Sequence, residues 1–361
     1  MKNRFLVLFS VLMGISMVAE AQISPEVGED GTVTFRFRSK TAEKIEVRGQ
    51  FGDPVALVRT EEEWWEGRTA EAVPPGIYEY RFLADEQIVI DPRNREVKPQ
   101  RWPGTSILHI PSNPPALWDL QEIPHGVIHQ HTYRSRALDS WRQVVVYTPP
   151  NLGKEPLPVL YLTHGYSDNE GTWTIHGKAH SILDALIASQ KARPMLIVMP
   201  DAHAISPDGK KFDDYAPKNT EALCQEILQD IIPLVEENYI VSRNPADRAF
   251  AGLSMGGHHA LTVALQYHEK FAYIGAFSAA PPKPEWVAER LKEVSTINEN
   301  LKLLWVACGD KDFLFQRNEE IHQAFEDAGL RHDYVVTKGE DHSWPVWRRY
   351  LILLLPKLFQ E

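Results

Sequence analysis

Two rhythms of apolar and polar positions divide this chain. Up to about residue 112 they alternate. TVTFRFRS sets Val33, Phe35 and Phe37 against Thr34, Arg36 and Arg38. KIEVRGQF puts Ile45 and Val47 on one side, and GIYEYRFLAD does the same for Tyr78, Tyr80 and Phe82. ILHI opposes Ile107 and His109 to Leu108 and Ile110. Period-two runs are strands with one face covered. Turn signals separate them at Gly28-Glu29-Asp30-Gly31, Gly52-Asp53-Pro54 and Pro74-Pro75-Gly76. Residues 22–112 are therefore expected to form a small all-β, immunoglobulin-like sandwich. Within PSNPPALW, residues 113–118 read as a proline-bearing linker.

From residue 119 to 361 the alternation gives way to continuous apolar runs. VVVYTPP, VLYLTHG, MLIVMPD, RAFAGLS, YIGAFSA, LKLLWVACG and DYVVTKG are strand candidates, most of them apolar on both faces. That pattern belongs to strands covered by helices on both sides of a sheet. Helical periodicity fills the intervals 175–190, 220–239, 257–268, 284–294, 316–328 and 344–359. The expectation is a doubly wound, mostly parallel α/β domain, with any ligand at the carboxyl ends of the strands.

The first residues add a compartment. Lys2 and Arg4 precede a 14-residue apolar run from Phe5 to Val18, followed by Ala19-Glu20-Ala21. This is the form of a signal peptide cleaved after Ala21, and the run is shorter than the roughly 20 residues a spanning helix needs. The expected location is periplasmic or extracellular, with no membrane association after cleavage. The formal charge of −11 becomes about −12 without residues 1–21, which argues against nucleic acid as a partner. Cys224 and Cys308 are read as two buried thiols rather than a disulfide.

Candidate chemistry centres on RAFAGLSMGGHHALTVAL. Gly252-Leu253-Ser254-Met255-Gly256 has the G-x-S-x-G form, and it lies where a strand runs directly into a helix. A serine on such a turn is an exposed nucleophile, and the Met255 N–H beside it is an oxyanion donor. The base and its orienter should follow in the order carboxylate, then histidine. His258, His259, His268 and His322 fall on helical patterns, and His332 leads into a strand. His342, in GEDHSW after the last strand, is the expected base. Asp310 and Asp312 both follow Cys308-Gly309, and spacing does not choose between them. VLYLTHGYSDNEGTW offers a second oxyanion donor at the Tyr166 N–H, with Gly165 allowing close approach and His164 structural. His129 and His131 share a strand face, but no third ligand lies at a suggestive spacing and no HExxH occurs. No metal and no other cofactor is expected.

LTHGYSDNEGTW, MPDAHA, GLSMGGHHAL, CGDKDFL and GEDHSWPVWRRYL together resemble the esterase D group of α/β-hydrolases. Within that group the chain is similar to bacterial feruloyl and acetylxylan esterases of carbohydrate esterase family 1. SPEVGEDGTVTFRFRS, VRGQFGDP, PPGIYEYRFLAD and IDPRNREVKP resemble an E-set module of the family 48 carbohydrate-binding type. The resemblance implies that Asp312 is the acid, Ser254 the nucleophile and His342 the base. Tyr166 departs from the glycine common at its position, and Asp201 stands where asparagine is frequent.

The implied activity is serine carboxylesterase action on feruloyl or acetyl groups of a plant polysaccharide such as xylan, or of its oligosaccharides. A siderophore trilactone esterase is one alternative, and a carbohydrate-binding protein with an idle hydrolase fold is another. Substrate contacts are expected from Gly165, Trp173, Phe212, Tyr215 and Trp102, with Phe212 and Tyr215 on a long 201–219 loop. Trp102 is expected either to reach toward the site or to pack in the sandwich. Trp64 and Trp65 suggest either a sugar platform or one inward and one outward ring.

Overall fold

The computed structural model describes residues 23–61, 63–207 and 209–360, so the expected signal peptide lies outside the described residues. The amino-terminal strands are β1 (Glu26–Val27), β2 (Val33–Arg38), β3 (Ile45–Gly49), β4 (Val55–Arg59), β5 (Trp64–Arg68), β6 (Gly76–Ala84), β7 (Gln87–Val89) and β8 (Ser106–Ile110). They pair antiparallel in the order β1-β2-β5-β4-β3-β6-β7, with β8 also on β6. β4 pairs with both β5 and β3, so what alternation predicts as a sandwich is one curled sheet whose two halves join through β4. The halves close on a shared core: Val33, Phe35, Phe37 and Trp65 from one, Ile45, Val47, Tyr80, Phe82 and Leu108 from the other. Trp65 points inward and donates its indole N–H to Ser39 O at 3.1 Å, while Trp64 lies outward beneath Arg93, 4.5 Å from the ring centre.

The second sheet comprises β9 (Val127–Ser135), β10 (Ser140–Thr148), β11 (Val159–Thr163), β12 (Leu196–Pro200), β13 (Arg248–Leu253), β14 (Tyr273–Phe277), β15 (Leu303–Gly309) and β16 (Asp333–Thr337). Its order is β16-β15-β14-β13-β11-β12-β10-β9. β11 to β16 are parallel, and the β9–β10 hairpin closes one edge antiparallel. Its helices are α1 (Thr172–Ile175), α2 (Ala179–Ala188), α3 (Phe212–Glu226), α4 (Ile232–Asn238), α5 (Met255–Gln266), α6 (Pro284–Arg290), α7 (Val294–Asn300), α8 (Phe315–Ala328) and α9 (Trp344–Leu354). The continuous apolar runs divide between two cores, one on each side of the sheet. Val144, Val146, Tyr161, Val198, Phe250 and Val306 face one core, and Val145, Tyr147, Leu160, Leu162, Ile197 and Trp305 face the other. Alternation persists inside these runs, but both faces are apolar because both are covered.

The helix expected at 220–239 begins earlier, at Phe212, and passes through a π turn at Ile227–Ile231 into α4. Asp213 and Asp214 favour its first turn, and Pro217 inside the helix removes only one backbone bond. The expected loop therefore shortens to residues 201–211. Cys224 and Cys308 are buried and unpaired. Among the described residues no helix is long and apolar enough to cross a membrane.

The linker region is pinned rather than free. Asp119 accepts from Ser112 N and Ala116 N and meets His109 Nε2 at 2.7 Å. The β-domain then docks on residues 165–173: Arg101 N donates to Ser167 O at 3.0 Å and Thr172 Oγ1 to Pro99 O at 2.6 Å. Buried Lys98 lies between Glu79 and Asp168, at 2.9 and 3.5 Å.

Candidate active site

β13 is buried along its whole length and ends in a reversal at Ser254, whose φ of 54° and ψ of −109° are rarely adopted by a residue with a side chain. Three backbone bonds hold this conformation: Ser254 N to Phe277 O at 2.8 Å, Ala280 N to Ser254 O at 3.1 Å, and His258 N to Ser254 O at 3.0 Å. The glycine two residues before the serine is required by crowding. A Cβ on Gly252 would stand 2.2 Å from Thr163 Oγ1 and 2.6 Å from Gly256 O. The result is a serine hydroxyl lifted clear of the sheet's carboxyl edge, at the start of α5.

The loop after β16 brings His342 to that hydroxyl, with Nε2 3.0 Å from Ser254 Oγ. Its Nδ1 lies 2.8 Å from Asp312 Oδ2, and Asp312 Oδ1 accepts from Leu314 N at 2.8 Å. The Asp312 carboxylate is fully buried. A carboxylate facing Nδ1 keeps the proton on that nitrogen and turns the Nε2 lone pair toward the hydroxyl. Asp310, the alternative left open by spacing, instead accepts from Gly339 N at 2.7 Å and closes the β16 turn. Of the other histidines, His258 bonds Ala280 O, His259 bonds Thr220, and His268 bonds Asn300, so none of them addresses Ser254. His129 meets Thr148, and His131 meets Tyr239.

Residues 165–166 also approach the elbow. A Cβ on Gly165 would lie 2.8 Å from Leu253 Cδ1 and 3.7 Å from Ser254 Cβ, so a larger residue would push the loop away. Neither Tyr166 N–H nor Met255 N–H donates to a described residue, and Met255 opens α5, where first-turn N–H groups have no helical acceptor. His203 braces this loop. Its Nε2 donates to Tyr166 O at 2.7 Å, while its Nδ1 lies 2.6 Å from Tyr215 OH. Ala202 N donates to His164 Nε2 at 2.8 Å, which leaves that ring's proton on Nδ1, facing Gly165 O. Asp201 accepts from His203 N at 3.0 Å and pairs with Arg142 at 3.2 Å.

Several expected substrate contacts have other roles. Trp173 is 1% exposed, donates its indole N–H to Thr163 O at 3.0 Å, and stands edge-on to Trp344. Trp344 meets Trp347, which is edge-on to His342 at 4.9 Å, so Trp173 begins an aromatic column that ends at His342. Tyr215 is fully buried and supports Tyr166 and His203 from below. Helix formation from residue 212 is the reason, since it turns Tyr215 inward. Phe212 remains half-buried beside Tyr166 and His258. Trp102 is 68% exposed, which excludes sandwich packing. Arg101 lies over its ring at 4.2 Å and over that of Tyr166 at 5.6 Å. Sequence reasoning missed Arg101, His203 and Phe313. Phe313, beside Asp312, is 75% exposed and covers the His342 ring at 4.5 Å. The CGDKDFL motif pointed at its position but not at its exposure.

Burial makes the helix behind the elbow sensitive to acid. Loss of hydration around His258 lowers its pKa from 6.5 to about 4, so the ring is neutral in the folded chain at pH 7. The unfolded chain binds the proton first. Stability is therefore complete above pH 6.5 and falls with pH until about 4, by about 3 kcal/mol for this residue. Burial lowers His176, His180, His203 and His259 in the same sense, so urea unfolding between pH 7.5 and 4.5 is expected to show their summed slope, and His258→Gln to reduce it by its own share; equal slopes would remove His258 from the account.

The comparisons agree with this architecture. A family model described as "Putative esterase" matches residues 135–358. An endo-1,4-beta-xylanase/feruloyl esterase of Xylanibacter ruminicola is 30% identical over 346 residues, 93% of this chain and 46% of the relative. The chain thus spans about half the length of that relative. An acetyl esterase of Caldicellulosiruptor saccharolyticus is 23% identical over 56% of this chain and 83% of its own. Among solved structures, a ferulic acid esterase of Anaeromyces mucronatus superposes with a TM-score of 0.59 at 21% identity, over 67% of this chain and 93% of its own. The enterobactin esterase of Shigella flexneri reaches 0.64 at 19% identity, over 91% and 93%. These two structures share the α/β-hydrolase fold, and the family match over most of the carboxyl-terminal domain shows that this chain belongs to the esterase family.

Proposed function

We propose that the chain is a secreted serine carboxylesterase that removes acyl groups, feruloyl or acetyl, from plant cell-wall polysaccharide such as xylan. The observation that carries the reading is the line Ser254 Oγ, His342 Nε2, His342 Nδ1, Asp312 Oδ2, with gaps of 3.0 and 2.8 Å. In the reaction His342 Nε2 takes the hydroxyl proton as Ser254 Oγ bonds to the ester carbonyl carbon. The carbonyl oxygen, now negative, accepts from the N–H groups of Met255 and Tyr166. Buried Asp312 stabilises the imidazolium and keeps its tautomer. His342 then protonates the departing sugar oxygen, the acyl–oxygen bond breaks, and Ser254 carries the acyl group. Water, deprotonated by His342, repeats the attack and frees the acid. The proposed steps use no cofactor.

The acyl and sugar assignment rests on the Xylanibacter ruminicola relative, whose name includes feruloyl esterase, and on the exposed ring of Phe313 against His342. One observation favours a second reading. The Shigella flexneri enterobactin esterase aligns with both the β-domain and the hydrolase domain, so a siderophore trilactone is the competing substrate. A panel of methyl ferulate, acetylated xylan, naphthyl acetate and a siderophore trilactone separates them by kcat/KM. Preference for methyl ferulate or acetylated xylan is expected. Preference for the trilactone would replace the polysaccharide reading, and no hydrolysis of any ester would remove the esterase reading altogether.

A further inference from the structure

We propose that His322, Glu326 and His332 form a binding site for a transition-metal cation of Zn2+ type, at the corner where α8 meets β16. One ligand atom from each residue lies within 4.8 Å of the others. His322 and Glu326 are four residues apart on α8, so they share a face one turn apart. His332 directly precedes β16. Its Nε2 lies 2.8 Å from His322 Nδ1 and 3.9 Å from Glu326 Oε1.

The two rings are set before any ion arrives. His332 Nδ1 lies 2.8 Å from Leu330 O, which can only accept, so Nδ1 carries the proton and Nε2 turns its lone pair into the cluster. That outer hydrogen bond is the usual support of a metal-binding imidazole. The His332 side chain is almost wholly buried and edge-on to Phe325, and His322 stacks flat on Tyr334 at 4.3 Å. Without an ion, His322 Nδ1–H donates to His332 Nε2. With an ion, the His322 proton moves from Nδ1 to Nε2, and both facing nitrogens become ligands with no net change in protons. Zn–N bonds of roughly 2.0–2.1 Å in a tetrahedron separate two nitrogens by roughly 3.3 Å. The rings therefore part slightly, and the exposed Glu326 swings in. Water completes the shell. Two imidazoles and one carboxylate suit Zn2+, whereas Ca2+ and Mg2+ require oxygen ligands.

The position gives the ion a structural consequence. α8 starts three residues after Asp312, and β16 leads into the loop bearing His342. The ion would join the segments that carry acid and base, but from the amino end of β16, away from the elbow. It has no part in the ester chemistry, and the inference stands apart from the proposed activity.

The test is calorimetric titration of the metal-free full chain with ZnCl2, with the unfolding midpoint measured in Zn2+ and in chelator. One Zn2+ per chain is expected in the wild type, with a midpoint raised by the ion. His322→Gln and His332→Gln should weaken binding at least about tenfold. Exposed Glu326→Gln should weaken it less and leave ester hydrolysis in chelator unchanged. If His332→Gln fails to fold, the other two variants carry the comparison. Absence of binding at micromolar Zn2+, or an isotherm unaltered by His322→Gln and Glu326→Gln, would overturn the site and leave a plain His–His hydrogen bond.

Discussion

Replacing Ser254 with alanine is expected to lower kcat for ester hydrolysis by roughly four to six orders of magnitude. The side chain contributes the one protein atom that bonds to substrate carbon in the proposed sequence, so no neighbour can replace it. The elbow should survive the change. Its geometry is held by backbone bonds to Phe277 O and from Ala280 N, and alanine is no larger than serine. An unchanged far-UV circular dichroism spectrum, together with loss of the acyl-enzyme in a mass measurement, would establish that chemistry rather than folding was lost. Activity within tenfold of wild type would sink the assignment of Ser254 and with it the proposed mechanism.

Asp312→Asn should cost roughly three to four orders of magnitude in kcat while Asp310→Asn costs little. The two residues are separated by one position in the chain, which makes the comparison exacting. Asp312 Oδ2 faces His342 Nδ1, and an amide there either presents N–H groups to that nitrogen or loses the charge that stabilises the imidazolium. The ring is then free to place its proton on Nε2, where it blocks the attack. Asp310 Oδ1 accepts from Gly339 N, and an asparagine oxygen accepts equally well. Steady-state rates on one activated ester suffice. Similar losses in both variants would mean that the β15–β16 loops, and not the carboxylate beside His342, control the rate.

The motif order made the elbow legible, because a strand that runs into a helix through glycines leaves few places for a serine hydroxyl. His342 was legible for a similar reason: its loop follows the last strand of a parallel sheet, and all such loops gather at one edge. The choice between Asp310 and Asp312 came only from family resemblance, since both lie in one short loop and differ in direction rather than position. The aromatic contacts were less accessible. Trp173 and Tyr215 carry rings that fit a binding pocket equally well in sequence terms, yet one supports His342 through Trp344 and Trp347 and the other supports Tyr166 through His203. Whether a ring faces solvent depends on which helix carries it, and α3 starts at Phe212 rather than near residue 220.

By itself the sequence determined the class of each domain and the chain order of Ser254, Asp312 and His342, because strand and helix periods, glycine turns and loop positions are local properties that repeat along the chain. Only the tertiary structure decided which groups meet. It placed Arg101 over both Trp102 and Tyr166, turned His203 onto the Tyr166 carbonyl, laid Phe313 over His342, and brought His322 to His332 across a helix end. These are contacts between elements set by sheet order and side-chain packing, and no spacing rule along one strand or helix encodes them.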